Sequence, residues 1–161
     1  MTTSTLLIRV RHAGVLRAAW APFLVFGLHL FISKVLNAYL LYPPLDIPMH
    51  FFGGVAIAYF FAACLSALPS GAISSEHRPA LHAVGVFALT CTASVFWEFA
   101  EFFSDLLLGT HAQLSLGDTL LDMALGTAGG LSFIVWALWS GALRAPRPLA
   151  AEPLAPSGPV A

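Results

Sequence analysis

Charge is scarce in this sequence. Charged residues make up 9% of the 161 positions against 58% hydrophobic ones, and the mean hydropathy is +0.84. So little charge alongside 13 Phe and 4 Trp excludes a soluble domain of this size and indicates an integral membrane protein. Only two cysteines occur, Cys64 and Cys91, both inside apolar runs, so they make no disulfide framework and read as small packing residues. Phosphate-loop signatures are missing. The glycines at Gly53-Gly54 and in the run from Gly126 to Gly130 read instead as places where helices approach closely. No order of Ser, His and Asp, or of Cys and His, argues for a covalent nucleophile, and there is no internal repeat. The first apolar run exceeds the h-region of a signal peptide and lacks a small-residue cleavage site, so it reads as a retained helix.

What is present is apolar sequence in helix-length pieces. A spanning helix takes about 20 largely apolar residues, and there is room for four. Residues 1–17 form a polar lead with Arg9, Arg11 and Arg17, taken as cytoplasmic. Residues 18–143 are predicted to be one all-α bundle of four transmembrane helices, at about 20–42, 46–68, 80–108 and 118–143. Pro43 and Pro44 stop the first helix, because proline lacks the amide proton and restricts its predecessor. Asp46 suits the N-cap of the second, and Pro48 its first turn. Residues 69–79 are a loop by composition. Gly109 closes the third helix, and Ser115 with Asp118 has the capping-box spacing that opens the fourth. Residues 144–161, rich in Pro and Ala, are expected to be a disordered cytoplasmic tail.

The arginines set an orientation. They stand at 9, 11 and 17, at 78, and at 144 and 147, whereas the connections 43–45 and 109–117 hold no Lys or Arg. By the positive-inside rule both termini are then cytoplasmic and those two connections face outward. Lys34, inside the first helix, is the exception.

Five of the eight acids fall between residues 97 and 122. Glu98, Glu101 and Asp105 share one helical face, extended inward by Ser94; Asp118 and Asp122 share another, as do Asp46 and His50, and His29, Ser33 and Asn37. With the predicted topology these polar edges meet on the outward side, joined by Lys34 and Asn37. An acid at mid-membrane costs about 2.5–3.5 kcal/mol, and acids at a helix C-terminus oppose its dipole. Protons, water or a bound cation must offset this. Oxygen-rich sites suit Mg²⁺, Mn²⁺ or Ca²⁺, and His50 also admits Zn²⁺, with Asp46, Glu98, Glu101, Asp105, Asp118 and Asp122 as the candidate ligands. Asp46 and Asp118 have a plainer reading as helix caps, Asp105 as a group reaching interfacial water, and His29 as a hydrogen-bonded packing residue. Glu98 and Glu101 resist such readings best.

The run Asp46-Ile47-Pro48-Met49-His50-Phe51-Phe52-Gly53-Gly54, the motif Trp97-Glu98-Phe99-Ala100-Glu101 and the stretch from Asp118 to Gly130 resemble small multipass bacterial membrane proteins of the YjdF type. More distantly they resemble the VanZ-like family. The resemblance covers residues 20–140. In VanZ-like proteins an acid and a histidine open one helix, with a glutamate in the next and an aspartate in the last; this pattern carries over to Asp46, His50, Glu98 and Asp122. Glu101 and Asp118 fit the YjdF-type pattern. Ile47 stands where VanZ-like proteins commonly have lysine. The resemblance implies a bacterial inner-membrane protein, and through VanZ-like proteins a suspected action on lipid head groups or lipid-linked cell-wall intermediates.

Three function classes are compatible with these residues. The first is an enzyme acting on a membrane lipid or lipid-linked intermediate, with His50, Glu98, Glu101 and Asp122 catalytic and Lys34 and Asn37 contacting substrate. The second is a proton or cation transporter or channel. The third is a non-catalytic membrane subunit held in register by its acids. No nucleic-acid partner is expected.

Overall fold

A computed structural model describes residues 13–68 and 77–143. The start of the polar lead, most of the predicted loop 69–79 and the predicted disordered tail 144–161 lie outside the described residues. Within them the chain is helical and contains no strand. Four helices are long and apolar enough to cross a membrane: α1 (Ala13–Val35), α3 (Asp46–Ser66), α4 (Arg78–Leu108) and α5 (Leu116–Ser140). A short helix, α2 (Ala38–Leu41), lies between the first two.

The first helix departs from the sequence expectation at both ends. It is already helical at Ala13, and it ends at Val35, well before Pro43. Its last turn, Phe31–Val35, widens to π geometry, closed by the Leu36 N–H donating to the Phe31 carbonyl at 3.1 Å. Asn37 then takes a left-handed conformation (φ 49°), which asparagine tolerates better than most residues. Asn37 therefore makes the break assigned to the prolines. Pro43–Leu45 instead form a 3-10 turn leading into α3. Asp46 is in the first turn of α3 rather than at its N-cap, which is Leu45. An acid there still complements the helix dipole, and its carboxylate remains available to a neighbour.

The other ends follow their local chemistry. Pro79 sits in the first turn of α4, where its missing donor costs little. Gly109 ends α4 in the left-handed conformation (φ 65°), and its N–H returns to the Asp105 carbonyl at 3.0 Å. Ser115 caps α5: its Oγ accepts from the Asp118 N–H at 3.2 Å, and an Asp118 oxygen accepts from the Leu114 N–H at 3.2 Å. Gly141 closes α5.

The tightest helix pair is α3 with α5. A Cβ on Gly54 would overlap the Gly126 backbone, and one on Gly129 would overlap the Phe51 carbonyl. In lipid there is no hydrophobic drive to bring helices together, so van der Waals contact between closely approached backbones supplies the attraction. Thr90 and Ser94 of α4 fit against Gly130 and Gly126, the second seam of the bundle. Beyond them lies a core of small side chains, Ala58, Ala62, Val86, Ile134 and Ala137. His82 fastens α4 to α3 there, donating from Nε2 to the Ala62 carbonyl at 3.1 Å. Large apolar side chains such as Phe52, Phe96 and Trp139 point outward, as lipid-facing residues do. Helix α1 packs on α3 and meets α4 through Trp97, whose ring lies edge-on to Phe26 and His29 at 5.9 and 5.2 Å.

Candidate functional site: an acid–histidine cluster at one end of the bundle

The alternating direction of α3, α4 and α5 brings the start of α3, the end of α4 and the start of α5 to one end. His50, one turn into α3, lies at the junction. Its Nε2 is 3.3 Å from Asp46 Oδ1, one helical turn away, and 3.8 Å from Asp122 Oδ1 on α5. Glu98 and Glu101 approach from α4. Donor atoms of Asp46, His50 and Asp122 lie within 4.8 Å of one another, and so do those of His50, Glu98 and Glu101. The two groups share the histidine. Glu98 and Asp122 are each only 4% exposed, whereas Glu101 is half-buried.

Four carboxyls thus surround one imidazole, and among the described residues no lysine or arginine pairs with them. Unbalanced acidity in a buried place is expensive. Carboxylate oxygens suit Mg²⁺, Mn²⁺ or Ca²⁺, and the imidazole nitrogen also admits Zn²⁺. The donor set fits a divalent cation held by His50 with Asp46 and Asp122, or by His50 with Glu98 and Glu101. Its Nε2 can serve Asp46 as a hydrogen-bond donor or serve a metal as a ligand, but not both at once.

Two of the expected ligands are engaged elsewhere. Asp105 accepts hydrogen bonds from the Thr110 hydroxyl and from the backbone N–H groups of Ala112 (2.6 Å) and Gln113 (2.9 Å). Asp118 closes the cap of α5. Both organise the connection between α4 and α5 and stand outside the two groups of donor atoms. Lys34 and Asn37 are exposed, and among the described residues no hydrogen bond or ion pair ties them to the cluster.

Sequence reasoning missed the neutral partners. Gln113 donates from Nε2 to the Glu98 carbonyl at 3.0 Å and lies 3.3 Å from Glu98 Oε2. Trp97 donates from Nε1 to Glu101 Oε1 at 2.8 Å. The Trp97–Glu101 pair could have been found from its i, i+4 spacing. Gln113 has no periodicity to mark it, being delivered by a loop. Tyr39, on α2, lies 3.2 Å from His29 Nδ1. Burial pushes the Tyr39 phenol above its ordinary pKa, with the Asp46 and Glu101 charges adding to this. It therefore stays a neutral O–H donor.

Beside the cluster lies a cavity of about 390 Å³ between α1, α3 and α4, with His50, His29 and Ser94 at one end and aliphatic and aromatic side chains elsewhere.

Four apolar helices enclosing buried acids and a histidine near one end define an all-helical membrane protein with an intramembrane polar site. The chain belongs to the DUF2238 family of predicted membrane proteins, whose profile matches residues 8–142. This is the YjdF-like family, in agreement with the motifs around Asp46, Trp97 and Asp118. No curated protein and no solved structure gives a significant match to the chain.

Proposed function

We propose that the protein is an enzyme acting on the head group of a membrane lipid, or on a lipid-linked phosphorylated intermediate, at the outer face of a bacterial inner membrane. The observation that carries this reading is the position of His50: it is held by Asp46 and Asp122, has Glu98 and Glu101 within reach, and borders an apolar cavity. Asp46 orients the imidazole for proton transfer, and Glu98 and Glu101 serve as general base or cation ligands. A divalent cation bound there would polarise a phosphoryl oxygen. Asp122 steadies His50 from the opposite side. Lys34, exposed at the same end of α1, is placed to meet a phosphate from the lipid side. The distant VanZ-like pattern at Asp46, His50, Glu98 and Asp122 supports the same class of substrate, and the arginines of the sequence support the orientation.

Conduction of protons or cations is the weaker reading. Inward of the cluster the helices meet through Gly126, Ser94 and Thr90 and then through the alanine, valine and isoleucine core. Among the described residues, the titratable side chain at that core is His82, which is tied to the Ala62 carbonyl. Comparative lipid mass spectrometry on cells lacking the protein, expressing it, or expressing Glu98→Gln tests the proposal. A lipid species that changes with the wild type and not with an equally abundant variant is expected. An identical lipid profile in all three refutes the enzyme.

A further inference from the structure

The cavity beside His50 has polar groups at one end and hydrocarbon along the rest. His29, His50 and Ser94 mark the polar end, and Ile57, Phe60 and Phe61 of α3 face Phe23 of α1 farther down. From Met49 to Phe61 the lining spans roughly 18 Å of helix at about 1.5 Å per residue. Half of a hydrocarbon core of about 30 Å is close to that, so the cavity is about one leaflet deep. Its volume of about 390 Å³ lies toward the lower end of the roughly 300–1,000 Å³ usual for small-molecule sites.

An apolar cavity does not fill with water, and walls facing a void lose their dispersion contacts. In a bilayer the material at hand to fill it is a lipid chain. Gly53 supports this. Unlike Gly54, whose Cβ would strike backbone, Gly53 has as its nearest neighbour Val25 Cγ1, 3.9 Å from where a Cβ would stand. Helix packing does not require a glycine at that position. Its effect is to keep the wall of the cavity clear next to His50.

We infer that this cavity seats one acyl chain of a glycerolipid and so places the lipid head group at the His50 cluster. The inference rests on the lipid-site reading above and narrows its substrate class. A single unbranched chain matches the depth, whereas a long isoprenoid chain would leave most of its length outside.

The test is photolabelling in nanodiscs containing phosphatidylethanolamine with a diazirine at the end of one acyl chain. Wild type, Gly53→Leu, Ala93→Phe and Glu98→Gln are compared by peptide mapping. Ala93 lines the cavity from α4, so the two bulky variants fill it from different helices. Crosslinks at Ile57, Phe60 and Phe61 are expected in the wild type and in Glu98→Gln, falling about tenfold in whichever filled variants fold. Labelling spread over lipid-facing Phe52, Phe96 and Trp139, with no concentration in the cavity, overturns the inference even from the wild type alone. Equal cavity labelling in a folded filled variant overturns it too. In a second arm the probe is a diazirine-bearing polyprenyl phosphate, and preferential cavity labelling by it overturns the glycerolipid assignment. Cavity labelling with an identical lipid profile in cells lacking the protein, expressing it or expressing Glu98→Gln leaves the chain site standing and removes the enzyme. Lost turnover without cavity labelling does the reverse.

Discussion

His50 and Asp105 show how differently two polar residues of one membrane helix bundle can be employed. His50 is the shared member of both acid groups, so replacing it leaves Glu98 and Asp122 buried without the imidazole they share. His50→Ala is expected to lower stability by about 1–3 kcal/mol and to abolish activity, read by thermal unfolding in detergent beside the lipid assay. A purely structural role would instead let His50→Gln, which retains a hydrogen-bonding side chain, recover both. Asp105 follows the Glu98 and Glu101 stripe in sequence, and spacing alone assigns it to the site. The structure spends its carboxylate on the connection after α4, including the N–H of Gln113, the residue that bonds Glu98. Asp105→Asn should cost about 1 kcal/mol and raise hydrogen exchange at residues 110–114, with activity reduced rather than lost. A loss of activity as complete as that of Glu98→Gln would return Asp105 to the chemistry. Periodicity identified which acids share a helical face, but it could not show which acid a loop would claim.

At the level of helices, the glycines divide into those the packing needs and those it does not. Gly54 and Gly129 sit where a side chain would overlap the facing backbone of the α3–α5 pair. Gly54→Ala must push the helices apart or strain them, at a cost of about 1–3 kcal/mol or more. Gly53→Ala meets only an ordinary contact and should stay within about 0.5 kcal/mol of the wild type. Paired unfolding curves of the two neighbouring variants check this, and equal destabilisation would mean that the α3–α5 seam lies elsewhere. The existence of the spanning helices was legible because apolar runs of this length have few other uses, and the Gly109 and Ser115 ends were legible from their capping chemistry. The end of α1 was not. Pro43-Pro44 is the louder signal, while the π turn and the left-handed Asn37 depend on how the chain must redirect itself to start α3. That redirection leaves Tyr39 beside His29, a contact ten residues apart that neither helical nor strand periodicity predicts.

For the molecule as a whole, the polarity is one-sided. Among the described residues, the start of α3, the end of α4 and the start of α5 hold the acids, and the opposite end carries Arg17 and Arg78 at the starts of α1 and α4. On the proposed orientation the arginine end faces the cytoplasm and the acid–histidine cluster the outside. His50 and Asp122 lie in the first two turns of α3 and α5, and Glu98 and Glu101 about two to three turns before the end of α4. Exposed positions can report this orientation. Leu114 projects from the connection at the acidic end and Leu68 from the end of α3 on the other side. With Cys64 and Cys91 replaced by alanine, Leu114→Cys should react with a membrane-impermeant maleimide in intact spheroplasts, and Leu68→Cys only after lysis. The reverse pattern would turn the site to the cytoplasmic leaflet, where the same cluster would face lipids in contact with cytoplasmic nucleotides and the substrate would have to be sought there.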